Sequence, residues 1–388
     1  MIPYGRQDIN QDDIDAVEKI LRSDFLTQGP AVPLFESTVG NFCGVEHAIA
    51  VNSATSALHI ACLALGVTSG DYVWTSPITF VASANCALYC GASVDFVDID
   101  PLTYNLSVEQ LQIKLSHAER LGKLPKVVVA VHLSGQSCDM EGIFKLSQQY
   151  GFRIIEDASH AIGGRYDHQP IGNCRYSDIT VFSFHPVKII TSGEGGMVVT
   201  NDPELASKMR LLRSHGITRD EAEMTHLVDG PWYYEQIQLG FNYRMTDIQA
   251  ALGVSQMRRL PEFIETRNRI ANKYNALLDE CPIQLPYLAP NCYSSFHLYI
   301  IRIDSIKNNH KEFFENMRSS GIGINLHYIP VYRQPYYGGM GFSPSDFPES
   351  ENYYAQAISL PIFSGLTDTQ QEQVVKAVNY SLEKSKRL

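Results

Sequence analysis

Positive charge is what this chain has least of. Its 31 Lys and Arg face 42 Asp and Glu over 388 residues, a formal net charge of -11, and no Lys/Arg cluster interrupts the acidic excess. That balance argues against a nucleic-acid surface and means that an anionic ligand must be met by a few local donors. The eight cysteines show no CxxC pair. Cys86 and Cys90 are one helical turn apart but lack the His/Cys partner pair of a metal site, so reduced core thiols are the expectation and no metal is expected. No apolar run reaches membrane-spanning length. The opening MIPYGRQDINQDD has neither the basic segment nor the apolar core of a signal peptide. Repeats and low-complexity tracts are missing too. Together these absences predict a soluble, cytoplasmic protein.

What is present reads as an ordinary globular chain, 44% apolar. Its length exceeds a usual single core, so two domains are expected: 1–255, a large α/β unit with an N-terminal helical segment, and 256–388, a smaller α+β unit. Residues 11–23 have helical spacing of Ile14, Val17, Ile20 and Leu21 with acids in the first turn. From residue 47 strands and helices alternate: strands near 48–52, 72–75, 93–97, 126–131 and 152–156, with helices between them near 53–65, 80–89, 107–120 and 141–150. This rhythm predicts a mostly parallel sheet flanked by helices, with ligands at the carboxyl ends of the strands. A helix over about 246–278 leads to the C-terminal region, with a strand at 297–303 and helices at 309–319 and 367–384.

The segment 181–197, VFSFHPVKIITSGEGGM, carries the sharpest chemistry. Lys188 lies among Pro186, Val187, Ile189 and Ile190, and burial of an ammonium lowers its pKa and makes the amine nucleophilic. A Schiff-base lysine needs that, although a lysine snorkelling from a strand end has the same neighbours. Ser53 or Thr55 can cap the helix after the first strand, and the same strand-to-helix turn is a natural phosphate seat. Phe80 sits at another such turn and Asp157 at a strand end. Seat, aromatic face, carboxylate and lysine are the four parts of a pyridoxal-phosphate (PLP) site, the carboxylate keeping the pyridine nitrogen protonated. Each part alone has a structural explanation: a helix cap, a core ring, a buried hydroxyl for Ser183.

NSATSAL (52–58), EDASHAIG (156–163), SFHPVKIITSGEGG (183–196) and GFNYRMTDIQAALG (240–253) together resemble the motifs of the DegT/DnrJ/EryC1/StrS nucleotide-sugar aminotransferases. The resemblance spans nearly the whole chain and implies the aspartate-aminotransferase fold (fold type I), with PLP or its amino form PMP as cofactor. It implies that Lys188 is the Schiff-base lysine and proton shuttle, with Asp157 on the pyridinium nitrogen and His160 near the ring hydroxyl. Ala54, Thr55 and Ser183 would hold the phosphate and Phe80 would stack on the ring. Asn242, with Arg244, would reach in from a neighbouring subunit, implying a homodimer with shared sites.

Tyr4, the loop Asp24, Phe25, Leu26 and Thr27, and the run Asn325, Leu326, His327 and Tyr328 match substrate-contacting positions. Arg6, Arg213, Arg219 and Arg244 are the candidates for a diphosphate, while His185 and His215 read as supporting or structural residues. LTQGP, SPITFVASAN, RSHGITRD and LHYIPVYRQPYY look most like a C4 aminotransferase of pseudaminic acid biosynthesis. Such an enzyme uses L-glutamate to aminate a UDP-linked 4-keto-6-deoxy-L-N-acetylhexosamine. Family members that dehydrate at C3 carry histidine in place of the lysine, so Lys188 favours transamination. Three rivals stay open: amination at C3 or C4 of another UDP- or dTDP-keto sugar, a PLP-binding sensor without turnover, and a PLP enzyme of amino-acid metabolism.

Overall fold

The computed structural model describes residues 1–304 and 309–386. Helices α1 (Gln11–Leu21) and α2 (Ala31–Cys43) precede the alternating part of the chain. That part runs β1 (His47–Val51), α3 (Ala54–Ala64), β2 (Tyr72–Thr75), α4 (Ala82–Tyr89), β3 (Ser93–Phe96) and α5 (Val108–Leu121). It continues with β4 (Val127–Val131), α6 (Met140–Tyr150), β5 (Arg153–Asp157), β6 (Ile179–Ser183), β7 (Gly196–Thr200) and α7 (Pro203–Arg213). The seven strands form one sheet in the order β1-β7-β6-β5-β4-β2-β3. Only β7 runs against the others, pairing antiparallel with both β1 and β6. The expected mostly parallel sheet is therefore present. Its inner strand β4, VVVAV, is buried at every position, as a parallel strand covered by helices on both faces must be.

Helix α8 (Asp247–Leu278) then leads to β8 (Ile283–Gln284), β9 (Tyr299–Ile303), α9 (His310–Ser319), α10 (Pro348–Tyr354), β10 (Ala357–Leu360) and α11 (Asp368–Lys384). Strands β8, β9 and β10 make a three-stranded antiparallel sheet. Leu260, Phe263 and Ile264 of α8 belong to the core under β6 and β7. Ile270, Tyr274 and Leu278, further along the same helix, belong to the core of the small sheet. Packing thus changes hands inside α8 between Ile264 and Ile270.

Two expectations shift. The C-terminal strand begins at Tyr299 rather than 297, because Phe296 takes a left-handed φ of 45° and Leu298 donates its N–H to Ser134 O across the fold. His297 is thereby pulled out of the sheet. In α1 the buried residue is Asp13, not the apolar stripe. Its carboxylate meets Arg259 at 2.6 Å and Gln256 at 2.7 Å on α8, leaving Ile14 and Leu21 more than half exposed.

Asp247, the first residue of α8, is fully buried. Its two oxygens accept the N–H groups of Gly29 and Ala31, both at 2.8 Å. This pins the exposed loop 24–28 to the helix start. Asp247→Ala strands the buried Ala31 donor and the half-buried Gly29 donor and should cost about 2–4 kcal/mol. A fall in the urea midpoint, with α2 and loop 24–30 losing hydrogen-exchange protection first, checks this.

Candidate active site

The carboxyl ends of β1, β4, β5 and β6 converge on a cavity of about 900 Å³, whose wall includes Val131, Asp157 and Ser183. The main-chain excursion 184–195 leaves the sheet between β6 and β7 and returns to it. Its closure comes from Phe184, which donates to Gly195 O and accepts from Ser192 N–H and the Thr191 hydroxyl. Lys188 rides on this excursion, anchored by buried Ile189 and Ile190. Its side chain opens on the cavity, yet protein crowds the amine. Burial pushes the ammonium down to about 8, against the pull of Asp157.

Asp157 is buried and oriented. Its Oδ2 accepts the Ser83 hydroxyl of α4 at 2.6 Å and its Oδ1 accepts Ser159 N–H at 3.1 Å. Thr79 Oγ1 in turn lies 2.8 Å from Ser83 Oγ. Strand alternation sends neighbouring Glu156 to the opposite face, where it binds His132 Nε2 at 2.7 Å and the Thr180 hydroxyl. The carboxylate of Asp157 is thus left for the cavity.

The seat at the start of α3 is backbone. Ser53 caps the helix by accepting Ser56 N–H at 3.1 Å, and Ala54 and Thr55, its first two residues, line the cavity. Gly196 presses on this turn from β7. A Cβ there would sit 2.5 Å from Ser53 C and 2.6 Å from Ala54 N, so only glycine lets the strand back the seat this closely.

Phe80 stands at the cavity mouth, its ring 58% exposed and 6.2 Å from that of Tyr328. His160 is buried; its Nδ1 accepts Ser134 N–H at 3.3 Å, which places the proton on Nε2, 3.1 Å from Tyr328 Oη. His160, His297 and His327 crowd this corner. Burial holds all three below the usual histidine range, His327 at about 3, and the charge of Lys188 adds to each.

Most of the expected site residues gather here: Lys188, Asp157, Ala54, Thr55, Phe80, His160 and Ser183, with Tyr4 and Asn325, Leu326, His327 and Tyr328 on the opposite wall. Sequence reasoning missed the anchor Ser83, the loop residue His297, and Glu194 and Gln249 at the rim. Ser83 falls one turn after Phe80, a spacing that could have flagged it; His297 left no such signal. His185 lines the cavity and His215 does not.

Other expected residues are not brought to this chain's cavity. Asp24, Phe25, Leu26 and Thr27 are exposed outside it, and Asn242 and Arg244 lie beyond the edge of β1, where Arg244 bridges Val51. Arg213, one of the diphosphate candidates, is paired within the chain. Its guanidinium binds Glu36 at 2.6 Å and Ala50 O at 3.0 Å, so it locks α2 and α7 to β1.

The donor set fits pyridoxal phosphate: backbone N–H groups at a helix start, an anchored carboxylate, an exposed aromatic face and a lysine amine of lowered pKa, all on one wall. Comparison with known proteins agrees. The model of the DegT/DnrJ/EryC1/StrS aminotransferase family matches residues 7–379. The UDP-4-amino-4,6-dideoxy-N-acetyl-beta-L-altrosamine transaminase of Campylobacter jejuni (serotype O:2) is 37% identical over 364 residues, covering 93% of this chain and 92% of the relative. The spore coat polysaccharide biosynthesis protein SpsC of Bacillus subtilis is also 37% identical, covering 97% and 96%. The structure of Helicobacter pylori PseC, an aminotransferase involved in the biosynthesis of pseudoaminic acid, superposes with a TM-score of 0.89 at 31% identity over 99% of each chain.

The lowered lysine has a direct consequence. Below about pH 8 the Lys188 amine is protonated and inert; above it the amine is free. In protein stripped of small molecules, reductive methylation mapped by mass spectrometry should accelerate at Lys188 with an inflection near 8, about two units below exposed lysines. An inflection shared with the surface lysines would mean that water reaches the amine.

Proposed function

The chain belongs to the DegT/DnrJ/EryC1/StrS aminotransferase family, and we propose that this PLP-dependent sugar aminotransferase moves an amino group from L-glutamate to C4 of a UDP-4-keto-6-deoxy-L-N-acetylhexosamine. The product class is the one named for the Campylobacter relative, and the step would belong to pseudaminic acid biosynthesis in the cytoplasm. The observation that carries the reading is Lys188, a crowded amine of lowered pKa in the same cavity as Asp157 and the α3 seat.

When bound, the cofactor supplies an aldehyde carbon and a ring that accepts electrons. The chain does the rest. Ala54 and Thr55 N–H groups, with the Ser183 hydroxyl, hold the phosphate. Phe80 covers one face of the ring and excludes water from it. Asp157, fixed by Ser83, keeps a proton on the ring nitrogen. Lys188 is the residue that would hold the aldehyde end, and its free amine would take up and return a proton at Nζ. A free amine with a pKa near 8 suits that task. His160 and Tyr328 stay neutral, since burial lowers one and raises the other, so they act as hydrogen-bond partners of the ring hydroxyl or the sugar.

The reading also needs a second copy. Among the described residues no arginine lines the cavity, and burial holds His160, His297 and His327 neutral, so a diphosphate finds little positive charge within one chain. Asn242 and Arg244, outside this chain's cavity, are assigned to the site of the partner in a homodimer, and the loop Asp24–Thr27 to the substrate. Exposed Ile14, Leu21, Phe25, Leu26 and Leu34 supply apolar surface for such an interface. The domain division at 1–255 and 256–388 is part of the same proposal.

Protein carrying the amino form of the cofactor, offered a panel of UDP- and dTDP-4-keto sugars, should aminate the UDP-L-N-acetylhexosamine at C4, as read by NMR. Preference for a dTDP sugar or for C3 would move the assignment to another family activity. Lys188→Ala should lower turnover by at least about 10³-fold while still binding cofactor; normal turnover would remove the lysine from the mechanism. Shared sites are tested by mixing. Lys188→Ala and Asn242→Ala are each expected to be inactive alone, but co-expression should restore about a quarter of the sites through mixed dimers. No restoration would place Asn242 in its own chain's site.

A further inference from the structure

Arg267 of α8 is a buried cation, and among the described residues no carboxylate pairs with it. One nitrogen, Nη1, donates to three carbonyls: Phe296 O and Ile362 O, both at 3.1 Å, and His297 O at 3.4 Å. Its Nε is buried without a partner. Burial brings the guanidinium down only to about 10, so it stays charged at neutral pH. A charge held out of water without a counter-ion is costly, and an anion brought close lowers that cost.

What Arg267 grips is the strained turn that precedes β9. Phe296 has a φ of 45°, a left-handed conformation unfavourable for a bulky side chain. Its N–H donates to Ser294 Oγ at 3.0 Å, and Leu298 N–H donates to Ser134 O. Held in this way, His297 lines the main cavity with its ring 4.4 Å from that of His160. The other two histidines of this corner are partnered: His160 by Ser134 and Tyr328, His327 by Ser359 and Asn325. His297 is not. Its Nδ1 is buried and makes no hydrogen bond, which leaves Nε2 as the nitrogen able to meet a ligand.

We propose that His297 donates through Nε2 to the α-carboxylate of the amino donor, with Arg267 as the positioning residue behind it. This rests on the aminotransfer proposed above and locates the anionic end of the donor. An α-carboxylate is bonded to the carbon that gives up the amine, so its seat must adjoin Lys188. His297 meets that condition, being held neutral by burial first and then by His160, Lys188 and Arg267. A neutral Nε2–H can donate without adding another charge beside Lys188. Arg267 supplies positive potential from behind the wall. The diphosphate of a nucleotide sugar is several bonds removed from its reacting carbon and is not the anion this corner fits.

Bleaching of PLP-loaded protein by L-glutamate needs no sugar, so the measurement stands apart from the identity of the acceptor. In stopped flow, His297→Phe should raise the half-saturating glutamate concentration at least about tenfold, the loss of one hydrogen bond to a charged group, while the limiting rate stays within about threefold. His297→Asn, which keeps an N–H, should recover most of the loss. Maleate, an unreactive dicarboxylate, should perturb the cofactor's absorbance with a Kd weakened by the same factor, a readout of binding without turnover. Arg267→Met should weaken glutamate and maleate together and Arg267→Lys restore part; if the methionine variant does not fold, the His297 pair decides. Half-saturation of the amino form by the keto sugar should change less than about threefold in His297→Phe, whereas a merely structural role would weaken both substrates alike. Unchanged glutamate and maleate binding in His297→Phe, or a loss shared with or confined to the sugar, would overturn the inference and leave aminotransfer standing. Wild-type protein bleached by no amino acid would overturn the aminotransfer reading itself, and this inference with it.

Discussion

An ammonium taken out of water is the constraint around which this protein is arranged. Lys188 cannot be buried as a charge without cost, so it either finds a carboxylate or gives up its proton. Asp157 supplies partial compensation and crowding supplies the rest, leaving an amine that loses its proton at about 8. Everything nearby is consistent with that setting. His160, His297 and His327 are neutral, Tyr328 keeps its proton, and Asp157 is held by a hydroxyl and an N–H rather than by a competing cation. A guanidinium in the same wall would compete with Lys188 for Asp157.

The seat at α3 shows the complementary strategy, in which charge is met by backbone. Ser53 uses its hydroxyl on Ser56 N–H and leaves the donors of Ala54 and Thr55 turned to the cavity. Gly196 backs the turn at a distance no side chain allows. Because β7 alone runs antiparallel, it can return from the Lys188 excursion and place this glycine beside the seat. One reversal in the sheet therefore links lysine and seat. In the proposed function it also joins the two ends of the cofactor.

Helix α3 has a second face that packs on α4. A small cavity beside it, lined by His59, Tyr89 and Tyr243, shares Thr55 and Ser56 with the large one. Helix α8 links distant parts in a similar way. Its first residue pins the loop 24–30, its middle anchors α1 through Asp13, and its last turns enter the small C-terminal core. The apolar residues left outside, from Ile14 to Leu34, belong in the proposed reading to the face of a second copy.

Periodicity and local chemistry determined a good deal from sequence alone. The alternating strands, the strand-end position of Asp157, the apolar neighbours of Lys188 and the Ser53 cap are all consequences of residues within a few positions of one another. Those are the interactions a one-dimensional pattern can encode. Tertiary structure decided the rest. It set Ser83 against Asp157 across 74 positions and drew His297 out of its strand to join His160. It consumed Arg213 on Glu36 and brought His59 to Tyr243. It also turned α1 onto Asp13 rather than onto its apolar stripe. Each of these outcomes depends on which helix face meets which strand end, a choice made by packing over long loops, and no spacing rule within one segment carries it.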